Sequence, residues 1–248
     1  MEEELLRRAR DLAERCERTA SVTATGFLTP AQQYALRAWA EHLPDCRLLL
    51  LGGSPDAERQ AGFFLPFWLE PEDFDADESM KAVRITAHFG TPGHRDYLGA
   101  ILALGIRREW IGDILLEENV AYVVCLPSVQ RVLLEQLDHV GRWGVRTEPV
   151  RLDQIPRQER KVKALSFTVQ SPRLDAVVGG MFRLSRTQAA EKIRMGLVSL
   201  NYSECLRPDA AVKAGDVISL RGSGKGCVTE LGGTSKKGRQ FLACELWL

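Results

Sequence analysis

Residues 171–201 read SPRLDAVVGGMFRLSRTQAAEKIRMGLVSLN, and residues 214–226 read AGDVISLRGSGKG. Leu174, Val177, Val178 and Phe182 recur at helical spacing, so one short helix presents them to a core. Ser185 is placed to cap a second helix, and Gln188 at the third position closes a capping box. Ala189, Ala190 and Ile193 supply its apolar side, and small alanines let two helices approach closely. Gly196 suits the left-handed residue that ends a helix. Val198 and Leu200 then alternate as a strand, with Asn201 at a turn. Ala214-Gly215-Asp216 is a second turn, before a strand over 217–220.

This segment is rich in cations. Arg173, Arg183, Arg186 and Arg194 fall on or beside the helix pair, and at 3.6 residues per turn the last three project within roughly 80° of one another. Lys192 points elsewhere. Arg221 and Lys225 sit among glycines in a second basic loop. A serine-capped helix N-terminus with arginines alongside is a seat for phosphate; taken singly, each of these arginines also reads as part of a solvated basic face.

Working outward, the formal net charge of +0 conceals an asymmetry. Residues 1–150 hold 16 Lys+Arg against 24 Asp+Glu, and residues 151–248 hold 17 against 9. One half is built to meet a polyanion, and it is the C-terminal one.

The stretch 152–170 reads as a linker, and 151–164 in particular is polar and charged, a linker or an exposed basic strand edge. Before it, residues 79–151 predict strand, helix, strand, strand, helix, strand. The pieces are 81–89, 96–104, 111–116, 120–126, a helix opened by Pro127, and 145–150. That order is a ferredoxin-like layer. RNA-recognition domains share it and bind through aromatics on the two central strands, where this chain offers at most Phe89 and Tyr122.

Residues 1–78 predict a small α/β region. Leu5, Leu6, Ala9, Leu12, Ala13 and Cys16 form an apolar stripe, and Thr29 with Pro30 starts a second helix carrying Tyr34, Leu36 and Trp39. Residues 47–51 predict a strand, 63–69 an aromatic run destined for the core, and 71–79 an acidic loop. The expected class is therefore multidomain α+β.

Composition excludes several functions. No apolar run approaches the ~20 residues of a membrane span, and the charged start is not a signal peptide. Six cysteines without a CxxC pair read as reduced thiols of a cytoplasmic protein. His88 and His94 lack companions for a metal site. RGSGKG does not have P-loop spacing, Gly52-Gly53-Ser54 is no dinucleotide fingerprint, and no G-x-S-x-G elbow occurs. No catalytic residue, cofactor, metal or small-molecule substrate is expected.

Residues 171–226 resemble the alpha-L RNA-binding domain, also called the S4 domain. The matching residues are Arg173-Leu174-Asp175, Ser185-Arg186, Ala189, Ile193, Gly196, Val198, Asn201, Gly215-Asp216, Ile218 and Arg221-Gly222. The resemblance implies that two helices and the following loop grip folded RNA, with Arg173, Ser185, Arg186, Asn201, Arg221 and Lys225 as contacts and Leu174, Asp175 and Ile193 structural. HRDYLGAILALGIRREWIGDI at 94–114 is similar to the hallmark of the YlmH family of bacterial RNA-binding proteins, carried by Gly105, Arg107-Arg108 and Gly112-Asp113. Arg107 and Arg108 would add a second RNA contact; their other reading is an exposed turn. That family implies association with the large ribosomal subunit carrying peptidyl-tRNA, rescue of stalled nascent chains with support of non-templated tail addition, and a genomic link to cell-division genes. Structured RNA, ribosomal or transfer, is the expected partner, with no membrane.

Two alternatives belong to other classes. One is an RNA-modifying enzyme, pseudouridine synthase-like or a methyltransferase. Those enzymes usually carry the S4 domain N-terminally, and the signatures of tyrosyl-tRNA synthetases are absent. The other is an adaptor in cell division.

Overall fold

In the computed structural model, residues 2–41, 43, 45–157, 161–234 and 238–247 are described. The chain forms two compact units, residues 1–158 and 159–248.

The first unit opens with α1 (Glu2–Thr19), which buries Ala9, Ala13 and Cys16. β1 (Thr23–Leu28) follows, then α2 (Pro30–Ala40), which starts at the expected Thr29 cap and is further held by a capping box that Thr29 forms with Gln32. β2 (Cys46–Leu51) and β3 (Gln60–Pro66) complete an antiparallel sheet in the order β1-β3-β2. β3 is buried on both faces because its alternation serves two cores. Phe64 packs with α1 and α2 residues, while Ala61, Phe63 and Leu65 face the other way.

The acidic loop folds into a 3₁₀ turn (Pro71–Asp73) and the short α3 (Ala76–Ser79). Beyond it come β4 (Lys81–Ala87), α4 (His94–Ala103), β5 (Ile111–Glu117), β6 (Val120–Cys125), α5 (Pro127–Gln136), β7 (His139–Val140) and β8 (Trp143–Val150). They build a five-stranded antiparallel sheet in the order β5-β6-β4-β8-β7. Val83, Ile85 and Val123 meet Tyr97 and Ile101 of α4 and Val129 and Leu133 of α5 in one core. The other side chains of the same strands, Ala82, Tyr122, Val124 and Val150, join Phe27, Ala61, Phe63 and Leu65 in a second core. The unit is thus layered helix, three-stranded sheet, five-stranded sheet, helix, and the boundary expected at residue 78 runs through a shared core.

In the second unit, β9 (Val162–Val169) is an edge strand within the stretch expected to be a linker. It pairs along its whole length with β14 (Gln240–Trp247), a partner some eighty residues away that local sequence does not reveal. α6 (Leu174–Phe182) and α7 (Arg186–Arg194) follow, then β10 (Val198–Leu200), β11 (Ser203–Glu204), β12 (Val217–Leu220) and β13 (Gly224–Thr234). The sheet order is β11-β10-β12-β13-β14-β9. Leu174, Val177, Val178, Ala189 and Ile193 pack on Val198, Ile218, Leu220, Val228, Leu242 and Cys244, so both helices cover one face. Phe182, expected in this core, is half-buried at its rim. Gly196 takes the left-handed conformation foreseen for it, with φ +70°.

Candidate nucleic-acid interface

The site grows from the two capped helices. Ser185 precedes α7; its hydroxyl accepts from the Gln188 N–H at 3.2 Å, and the Gln188 side chain accepts from the Ser185 N–H at 2.9 Å. Arg173 stands at the N-cap of α6, and its backbone is tied to the chain near Ala211 by a β-bridge. Between the helices lies Asp175, whose side chain is only 6% exposed. Its carboxylate accepts from Arg173 Nε at 3.4 Å and Nη2 at 3.2 Å, and from Arg186 Nε at 3.1 Å. One buried anion therefore aligns two partly exposed guanidinium groups. Each guanidinium carries five N–H donors and spends one or two on Asp175, leaving donors able to reach a phosphate.

The other sequence-expected residues divide. Arg194 is exposed in the last turn of α7. Arg183 is exposed but does not ride on α7. It is the left-handed C-cap of α6 (φ 56°, ψ 44°), so the helical projection shared with Arg186 and Arg194 does not apply to it. Asn201 has both ends of its amide engaged: Nδ2 donates to Asp216 at 2.8 Å, and Oδ1 accepts from the Val217 N–H at 2.9 Å. It acts as the clasp of the β10–β12 turns. Arg221 is exposed in the β12–β13 turn, its N–H held by the Leu197 carbonyl at 2.9 Å.

Lys225 is separated from the helix-side arginines. In β13, Gly226 and Val228 are buried on the helix face, and a Cβ on Gly226 would lie 3.1 Å from Met181 Sδ. Lys225 alternates to the opposite face. There its ammonium sits 4.4 Å from the Tyr202 ring centroid and 4.6 Å from that of Trp247, inside cation–π range. Neither ring was expected from the sequence. Trp247 is the cross-strand partner of Lys225, and Tyr202 is held with φ +68° directly after Asn201 at φ +50°. The left-handed region costs a residue such as tyrosine roughly 1 kcal/mol, and the Asn201 clasp offsets it.

The hallmark motif of the first unit has a structural meaning. Asp113 accepts the N–H groups of Glu58 at 2.6 Å and Arg59 at 3.0 Å, and burial pushes its carboxyl above the usual range. Arg59 reaches back to the Phe27 carbonyl at 2.6 Å. Arg108 donates to the carbonyls of Ile111 at 2.7 Å and Gly112 at 3.2 Å, and burial lowers its pKa. Gly112 is required by close approach, since a Cβ there would lie 2.8 Å from Phe27 Cε1. The motif thus rivets the two sheets. Arg108, expected as an RNA contact, is turned to backbone carbonyls. Arg107 remains half-exposed, paired with Glu109 at 2.6 Å and stacked 5.5 Å from the Trp110 centroid.

Of the two aromatics expected on the central strands of this unit, Tyr122 is partly buried against the inter-sheet core. Phe89 lies beyond the end of β4 and is 83% exposed. Of the aromatic run 63–69, Phe63 and Phe64 are core, but Phe67 and Trp68 turn outward, 72% and 57% exposed, because β3 ends at Pro66. Among the described residues, no group of three His, Cys, Asp or Glu could hold a metal ion, and no helix is long and apolar enough to cross a membrane.

Comparison with known proteins gives a consistent set. Residues 1–61 match a family profile described as "YlmH, N-terminal", and residues 70–154 one described as "Putative RNA-binding domain in YlmH". The chain is 31% identical over 221 residues to the "Ribosome-associated protein quality control protein P2" of Bacillus subtilis, covering 89% of this chain and 86% of that protein. In fold it is similar to the solved "Cell division protein ylmH from Streptococcus pneumoniae", with TM-score 0.54 and 21% identity over 62% of this chain and 94% of that one. With two matched profiles and a relative aligned over nearly its whole length, the chain belongs to the YlmH family.

Proposed function

We propose that this protein is a non-catalytic RNA-binding factor of the ribosome, seated on the large subunit carrying peptidyl-tRNA and serving the rescue of stalled nascent chains. The observation that carries the reading is the Arg173–Asp175–Arg186 arrangement, where a buried carboxylate preorganises two guanidinium groups beside a capped helix end. Preorganised arginine forks suit backbone phosphates, and the basic balance of residues 151–248 adds long-range attraction. The second unit is read as an S4-type domain, a reading supported by its paired helices on one sheet face. The middle segment is read as ferredoxin-like, supported by the β5-β6-β4-β8 order with α4 and α5 on one side. The name of the Bacillus subtilis relative supports the ribosomal setting.

The test is cosedimentation with large ribosomal subunits over a salt series. The double variant Arg173→Ala, Arg186→Ala binds more weakly and keeps its fold. Its log–log salt slope becomes shallower by about 2, at roughly 0.9 per neutralised phosphate in a duplex. An unchanged slope and affinity refute the assignment. A second reading, a protein-contacting role, draws on the outward Phe67 and Trp68. It requires Phe67→Ser with Trp68→Ser to abolish an association that survives nuclease treatment.

A further inference from the structure

The helix-free face of the second unit's sheet carries a row of cross-strand partners: Ser199, Ser219, Lys225, Trp247 and Val162, on β10, β12, β13, β14 and β9. Both helices of that unit pack on the opposite face. Tyr202 reaches the row from the β10–β11 turn, and Lys225 lies against both its ring and that of Trp247. At the end of the same strands is a hollow of about 440 Å³, lined by Gly196, Ser199, Glu204, Ser219, Arg221 and Gly222, among others.

We infer that this face is a second RNA seat, distinct from the arginine pair, which takes an unpaired nucleotide. The inference rests on the RNA-binding reading above and adds the kind of RNA. A duplex hides its base faces, so an aromatic pair is of no use to it. An unstacked base offers a flat π-surface, and rings on an open sheet face are a general way to hold one. The Lys225 ammonium lies over both rings, so a base that stacks on them displaces it, and the ammonium remains alongside as a cation for the phosphate. Arg221 in the adjoining turn supplies a second cation. The Ser199 and Ser219 hydroxyls, already hydrogen-bonded to each other, line the hollow where a ribose or base edge enters. Glu245 occupies the next row of the face, opposite Cys227, and marks where a phosphate track must stop. The clasped left-handed turn holds Tyr202 in place before RNA arrives, which reduces the ordering cost of binding.

The experiment compares the intact protein's affinity for a short oligoadenylate with its affinity for a blunt RNA duplex of equal length, by fluorescence anisotropy. Tyr202→Leu with Trp247→Leu lowers oligoadenylate affinity about tenfold or more, and lowers duplex affinity far less. Tyr202→Phe, which keeps the ring, retains parental binding. Arg173→Ala with Arg186→Ala shows the reverse bias, losing mainly the duplex. Thermal melts of each variant show that the fold persists, and the ring-retaining variant guards against a mere folding defect. If the doubly substituted Leu variant holds oligoadenylate within twofold of the parent, or Tyr202→Phe loses as much as Leu, the seat is wrong while the arginine reading stands. If the parent binds duplex but no single strand, the seat alone falls. If it binds neither, the RNA-binding reading falls with it.

Discussion

Replacing Asp175 by asparagine removes the charge between Arg173 and Arg186 and keeps the shape of the side chain. The Asp175 side chain is 6% exposed, whereas those of Arg173 and Arg186 are 40% and 57% exposed. A desolvated charge-assisted hydrogen bond is worth about 1.5–3 kcal/mol and an exposed ion pair about 0–1. Here the anionic end is dry and the cationic ends are wet, so each arginine contributes about 1 kcal/mol. Asparagine is not a neutral substitute, because its amide group turns a donor toward a guanidinium that also donates. Asp175→Asn therefore destabilises the second unit by about 1–2 kcal/mol, a midpoint shift of roughly 0.5–1 M urea. Hydrogen exchange of the α6 and α7 amides reads that unit by itself, whatever the first unit does. The decisive comparison is a double-mutant cycle. Arg186→Ala costs about 1 kcal/mol in the parent and close to nothing once Asp175 has been replaced. Equal cost in both backgrounds, within about 0.3 kcal/mol, refutes the claim that this carboxylate orders the pair.

Gly112→Ala forces a Cβ to 2.8 Å from Phe27 Cε1 and 3.2 Å from Val124 Cβ, and lowers first-unit stability by about 1–3 kcal/mol in urea melts. Phe27→Leu in the same chain recovers part of that loss. Tyr97 is 1% exposed and its hydroxyl has no partner among the described residues, so Tyr97→Phe is neutral or stabilising by up to about 1 kcal/mol. A clear loss on thermal melting contradicts that account. Burial pushes the Cys125 thiol up to about 12 and those of Cys46 and Cys244 to about 11. At pH 8 these stay protonated, and mass spectrometry after iodoacetamide finds the half-buried Cys205 and Cys227 labelled first.

The amino-acid sequence by itself determined whatever depends on near neighbours. The caps at Thr29 and Ser185, the left-handed Gly196 and the strand over 217–220 follow from interactions within a few residues, and so do the βαββαβ order and the split of charge between the halves. Tertiary structure decided which face each residue meets. Alternation along β13 puts Lys225 and Gly226 on opposite faces, but only the packing of Met181 on Gly226 shows that the helices lie on the glycine's side, and hence that Lys225 parts from Arg186 and joins Tyr202 and Trp247. Likewise, β9 is a strand because β14 offers it a ladder, and Asp113 is a rivet because the backbone of Glu58 and Arg59, leading into the three-stranded sheet, arrives against it. Hydrogen-bond partners distant in the chain leave no periodic mark on the sequence, so these assignments awaited the folded chain.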